Sequence, residues 1–178
     1  MSHFIANSLT ISKDFKQFKV KGGDNNCFPR SNVWSEWINI DNLLDMLNSG
    51  SLQFGNSHKE KFLMLNELTI EFAKKWGGDW NDKTDMYYSF RKESLPTELD
   101  KLNKEFIERL KTEYKGITKK EHYVHIRYGY VSSVSWSRYK QSHVWYGGSH
   151  SAKKFGKYQA KEIARIWGGE VTTALEEN

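Results

Sequence analysis

The chain has 178 residues, a formal net charge of +5 and an aromatic content of 15%. That length suffices for one domain with a sizeable core, and so many rings exclude a disordered chain, which could not bury them. The one cysteine, Cys27, excludes an intramolecular disulfide and makes a cytoplasmic setting the expectation; no run approaches the ~18 apolar residues of a membrane span, and Met1 to Asn7 do not read as a signal peptide.

The start reads as strands, Ser8 to Ile11 and Phe15 to Val20, with Lys21-Gly22-Gly23-Asp24-Asn25-Asn26 as a turn signal after them. Val33 to Ile40 mixes apolar and polar residues at strand spacing. Asp41 suits the N-cap of a short helix from Asn42 to Leu47, with Leu43, Leu44 and Leu47 on one side and Gly50 as its stop. Ser57-His58-Lys59-Glu60 fits a capping box for a second helix. There Phe62, Leu65, Leu68, Phe72 and Trp76 recur at helical spacing, widened by Leu63, Met64, Ile70 and Ala73, which is the pattern of core packing. Met86 to Arg91 reads as a strand. A third helix opens between Ser94 and Glu98, runs to Tyr114 on a stripe of Leu99, Leu102, Phe106 and Leu110, and ends at Gly116. The segment 112–121 is the candidate hinge.

The last third reads as antiparallel strands and then a helix. His122 to Tyr130 is expected as one strand, with Val124, Ile126, Tyr128 and Tyr130 on one face and Tyr123, His125 and Arg127 on the other. Val134 to Tyr139 and His143 to Tyr146 follow as strands. The final helix, Lys157 to Trp167, puts Ala160, Ile163, Ala164 and Trp167 on one face, and a short strand from Glu170 to Ala174 follows.

One phrase occurs twice. Ala73-Lys74-Lys75-Trp76-Gly77-Gly78-Asp79-Trp80 recurs as Ala164-Arg165-Ile166-Trp167-Gly168-Gly169-Glu170-Val171, with Phe-Gly ahead of each at Phe54-Gly55 and Phe155-Gly156. Each copy reads as a helix ending in a buried Trp, a left-handed Gly cap and a strand, and it carries no chemistry. Trp76 and Trp167 are therefore expected in equivalent buried positions, where truncation to Ala would cost ~3–5 kcal/mol.

Catalytic and cofactor motifs are not found. One cysteine cannot build a thiolate metal site, and the His residues at 3, 58, 122, 125, 143 and 150 form no helical His-x-x-x-His pair, so neither metal nor cofactor is expected. No glycine pair continues into a phosphate loop, and there is no Gly-x-Ser-x-Gly elbow. Charge is the stronger signal. Residues 1–114 sum to −1, whereas residues 115–169 hold 11 basic against 2 acidic groups. Such a block is a footprint for an acidic partner or nucleic acid. Arg127, Arg138, Lys153, Lys154, Lys157, Lys161 and Arg165 are its candidate contacts, and the last three fall at four-residue intervals on one stripe of the final helix. His125, Tyr139 and His143 form a secondary candidate set on the expected sheet face. Such a face could bind phosphate and stack bases, or cleave RNA without metal. Phe28, Arg30, Trp34 and Trp37 form another secondary surface.

The ending His143-Val144-Trp145-Tyr146, Ala152-Lys153-Lys154-Phe155, Ala160-Lys161-Glu162-Ile163-Ala164 and Trp167-Gly168-Gly169-Glu170-Val171 resembles a recurring element of small bacteriophage accessory proteins. In that element a strand is followed by Ala-Lys-x-Phe, a short helix and Gly-Gly-x-Val. The resemblance implies an α+β fold and a phage or mobile-element origin, and it implies no activity. Proteins of this kind often bind a host or defence component, anti-CRISPR proteins being one example. The basic charge here speaks against DNA mimicry and for contact with nucleic acid or an acidic protein groove.

The expected fold is a single α+β domain over 1–178, with a largely antiparallel sheet packed against two long helices and a short C-terminal helix. The expected function is a non-enzymatic binding protein that engages a host or defence nucleic-acid machine, away from any membrane. The alternatives are direct DNA or RNA binding by the basic third, and a metal-independent RNase.

Overall fold

The structure is a computed structural model that describes residues 4–24, 33–55, 58–75, 80–81, 89–90, 99–117, 119–137 and 141–175. The architecture is α+β. The chain divides into two compact units, one of residues 1–57 with 65–113 and one of residues 58–64 with 114–178. No helix among the described residues is long and apolar enough to cross a membrane.

The N-terminal unit is built on a mixed sheet. Strand β1 (Phe4–Ile11) pairs antiparallel with β2 (Gln17–Asp24), and β2 pairs with both β3 (Val33–Trp34) and β4 (Ile38–Asn39). Helix α1 (Leu43–Ser49) then returns the chain to β5 (Leu52–Phe54), which runs parallel to β1. Helix α2 (Glu60–Lys75), the two-stranded pair of β6 (Trp80–Asn81) and β7 (Ser89–Phe90), and helix α3 (Leu99–Gly116) follow. Ile5, Leu9, Phe18, Val20, Leu43, Leu44, Leu52, Leu68, Phe72, Phe106 and Leu110 are all buried. Phe72 and Phe106 meet edge to face, with ring centroids 5.5 Å apart.

Four expectations need correcting here. The second strand starts at Gln17, because Phe15 sits at φ 56 within the hairpin turn. The expected turn at Lys21–Asn26 is strand as far as Asp24: Gly22 and Gly23 pair with Ala6 and Ile5. A Cβ at Gly22 would run into the carbonyl oxygen of Ile5, so glycine here lets two backbones approach. Val33–Ile40 is not one strand either, since residues 35–37 break it. The N-cap of the turn before α1 is Asn39, whose Oδ1 accepts from the Asp41 amide at 2.9 Å; Asp41 itself lies within that turn.

The C-terminal unit is an antiparallel sheet with a helix. Its strands are β8 (Tyr123–Ile126), β9 (Gly129–Ser135), β10 (His143–Gly147) and, after helix α4 (Lys157–Trp167), β11 (Glu170–Thr172), in the order β10-β9-β8-β11. Val124, Ile126, Val131, Phe155, Ala160 and Ile163 make its core, with Val134, Trp136, Val144, Ala164 and Trp167 partly buried against them. His122–Tyr130, expected as a single strand, is a hairpin that turns at Arg127-Tyr128. Apolar alternation continues through that turn, which is why it does not read as one. Tyr130 consequently lies across from His125, and Tyr128 is 66% exposed.

The second copy of the repeated phrase behaves as expected at its glycine: α4 ends on Gly168 at φ 70, and β11 begins two residues later. Trp167 is only partly buried, so its truncation should cost less than the removal of a fully buried ring, about 2–3 kcal/mol. Urea unfolding of Trp167→Ala checks this, and a loss as large as that for a fully buried Phe would contradict it. Trp76 and the glycines after it lie outside the described residues.

Candidate functional site

The basic block rests on α4, and a carboxylate from elsewhere in the chain starts that helix. Glu60 Oε1 accepts from the Tyr158 amide at 2.8 Å and Glu60 Oε2 from the Gln159 amide at 2.7 Å. A negative charge at the free amides of a first turn also interacts favourably with the helix dipole. Glu60 thus caps α4; Ser57, its expected capping-box partner, lies outside the described residues. Gln159 Nε2 donates in turn to the carbonyl of His58 at 3.1 Å. With Ala160 and Ile163 buried, Lys157, Lys161 and Arg165 are left exposed along one stripe.

The three cations are not alike. The ammonium groups of Lys157 and Lys161 lie 5.4 Å and 5.5 Å from the centre of the Tyr158 ring. The Arg165 guanidinium is bound by Glu162, with Nε 3.1 Å from Oε2 and a second, shorter contact from Nη2 to Oε1. Lys153 and Lys154 are exposed ahead of the helix, and Lys154 lies 5.8 Å over the Tyr123 ring. Arg127 is exposed in the β8–β9 turn, 5.6 Å over Tyr128, which stacks on Tyr146. Arg138 and Tyr139 lie outside the described residues, as do Phe28 and Arg30.

Of the secondary set, His125 and His143 do not come together. His125 pairs with Tyr130 and flanks Glu170, while His143 pairs with Ser135. Their partners are thus five positions apart along β9, ~17 Å, and the two histidines lie on strands on opposite sides of β9. No single phosphodiester spans that gap as a general acid–base pair requires. Among the described residues no group of three or more His, Cys, Asp or Glu is placed to hold a metal ion.

Two features escape the sequence reading. Lys19 and Lys21 of β2 reach the exposed rings of Trp34 and Trp37; the alternation Phe18-Lys19-Val20-Lys21 was the available signal. The other is a stack of rings from three parts of the sequence. His58 lies flat on Trp136 at 4.6 Å and 11°, and Trp136 is 6.0 Å from Trp167.

His58 Nδ1 is buried with no hydrogen-bond partner among the described residues. Burial lowers the His58 pKa below its ordinary value of 6.5, Glu162 opposing the shift and Arg165 adding to it. The folded state therefore favours the neutral ring. Between the folded pKa and about 6.5 the unfolded chain binds more protons, so stability rises with pH across that window and is lost as pH falls through it. His58→Phe keeps a ring on Trp136 and removes the titration. Its urea midpoint should fall less than the wild type's between about pH 7.5 and pH 5. Equal falls would exclude His58 as the source.

No protein-family model, curated protein or solved structure matches this chain.

Proposed function

We propose that this chain is a non-enzymatic binding protein, of the bacteriophage accessory kind that its ending resembles. It engages a nucleic-acid machine of the host or its defences, and inhibits or redirects it, through the basic surface of the C-terminal unit. The observation that carries this reading is the exposed Lys157, Lys161 and Arg165 stripe on a helix held at both ends, by Glu60 at the first turn and Gly168 at the last. Cations fixed on a packed helix present a preset pattern to an acidic partner and lose little entropy on binding. Lys153, Lys154 and Arg127 extend the same charge to the loop before α4 and the β8–β9 turn.

The test is the triple variant Lys157→Glu, Lys161→Glu, Arg165→Glu. It changes exposed side chains alone, so its circular dichroism should match the wild type, and its melting should fall only slightly, by the loss of the exposed Arg165–Glu162 pair. In nuclease-treated bacterial lysate the wild type should capture components of a nucleic-acid enzyme. The variant should bind the purified component at least about a hundredfold more weakly, since each of the three charged contacts is worth ~1–3 kcal/mol. Equal binding by the two proteins would reduce the stripe to a solvated face. RNA incubated with the pure protein in EDTA should stay intact; cleavage would overturn the non-enzymatic reading.

A further inference from the structure

The N-terminal sheet carries a second surface of different chemistry. On β2, Phe18 and Val20 are buried, so Lys19 and Lys21 project to the opposite face. Two pairings fix the neighbouring chain: Lys21 lies across from Trp34, and Phe18 across from Ile38. Between those points β2 has two residues, Lys19 and Val20, while the other chain has three, Ser35, Glu36 and Trp37. The extra residue is a bulge. Ser35 secures it: its amide donates to the Val20 carbonyl at 2.8 Å, and its Oγ accepts from the Val20 amide at 3.1 Å.

The bulge decides where the indoles go. In a regular strand, residues three apart face opposite ways. One extra residue restores them to the same face, a known use of bulges to re-aim side chains. Lys19 Nζ accordingly lies 5.2 Å from the Trp34 ring centre and 4.8 Å from that of Trp37, with Lys21 Nζ 5.9 Å from Trp34. Trp34 is 38% exposed and Trp37 44%. Two solvent-facing indoles therefore flank one ammonium group, with a second ammonium group alongside.

We infer that this surface binds single-stranded nucleic acid, the indoles stacking unpaired bases while Lys19 and Lys21 contact the phosphates between them. Every base has a face to stack, so the site is tolerant of sequence, and the positive groups between the rings match the charge of the strand. A duplex keeps its bases stacked on each other and offers the indoles nothing. These residues belong to the N-terminal unit, whereas the stripe on α4 belongs to the C-terminal one.

Fluorescence anisotropy with fluorescein-labelled dT15 and rU15, and with a duplex of the same length, tests this. The wild type should bind both single strands, and the duplex at least tenfold more weakly. Trp34→Ala with Trp37→Ala should weaken dT15 binding by about tenfold or more for each ring removed. Trp34→Phe with Trp37→Phe should largely restore it. Lys19→Gln with Lys21→Gln should reduce the slope of log affinity against log salt by about 1.4, at ~0.7 per lost phosphate contact. The triple variant of α4 should bind dT15 as the wild type does. Absence of single-strand binding by the wild type at low salt, or unchanged affinity in the double-alanine protein, would overturn the inference. Duplex binding as tight as dT15 binding would overturn it as well.

Discussion

Phe106→Ala should lower stability by about 3–5 kcal/mol, the largest effect expected of a single substitution here. Phe106 is fully buried on α3, and its ring stands edge-on to that of Phe72 on α2, with an interplanar angle of 86°. Truncation removes the transfer energy of a whole ring and leaves a cavity between two helices, which can collapse only in part. The edge-to-face pair adds roughly 0.5–1.5 kcal/mol beyond area. The exposed ion pairs that join the same helices, Arg109–Glu71 at 3.6 Å and Lys75–Glu105 at 3.9 Å, cannot compensate. Urea unfolding of Phe106→Ala, Phe72→Ala and the double variant measures both terms. The double variant should lose less than the two single losses added together. A single-variant loss under about 1 kcal/mol would mean that the pair is not a core contact.

Glu60→Ala and Gly156→Ala should each cost about 1–3 kcal/mol, and the two together little more than either alone. Glu60 accepts two amide bonds at the start of α4; loss of such a cap costs ~0.5–2 kcal/mol, and loss of its charge beside the helix N-terminus adds ~0.3–1 kcal/mol. Gly156 is the N-cap residue, and its carbonyl accepts from the Ala160 amide at 2.9 Å, a bond that alanine would keep. Its part is to leave room: a Cβ there would lie 2.5 Å from Glu60 Cδ and 2.6 Å from Oε1. An alanine must push the carboxylate off the amides it caps, so both substitutions remove the same interaction. A double-mutant cycle followed by urea unfolding is the measurement. Simple additivity would show that glycine is needed at 156 for some other reason. Loss of binding by the Glu60 variant is also expected, because the exposed stripe depends on the helix beneath it.

Local patterns were legible where one element decides its own fate. The apolar stripe of α2, the leucines of α1 and the whole span of α4 follow from helical period and from glycine stops. What was not legible depends on partners distant in sequence. Glu60 reads as the cap of its own helix because the rule for capping is local, yet its two acceptors serve amides about a hundred residues away. The Gly22-Gly23 pair reads as a turn unless β1 is known to lie beside it. The hairpin at Arg127-Tyr128 is hidden because an apolar residue falls at each alternate place through the turn. Of the candidate contacts, the stripe on α4 follows from four-residue spacing alone. The grouping of His125 with His143 fails because strand register sets how far apart two residues on one sheet lie. The positions of Trp34 and Trp37 needed the bulge, which no propensity marks.

The sharing of α2 between the two units has a practical consequence for dissection of this protein. Residues 58–64 belong with residues 114–178 although some fifty residues separate them in the chain. A fragment that starts at Tyr114 carries the basic stripe but neither the Glu60 carboxylate nor the His58 ring. Deletion mapping by contiguous pieces would then score the stripe as inert for want of its helix cap. The compact unit that carries the stripe is discontinuous, and a fragment that reproduces it needs residues 58–64 grafted ahead of residue 114 through a linker or supplied as a separate peptide.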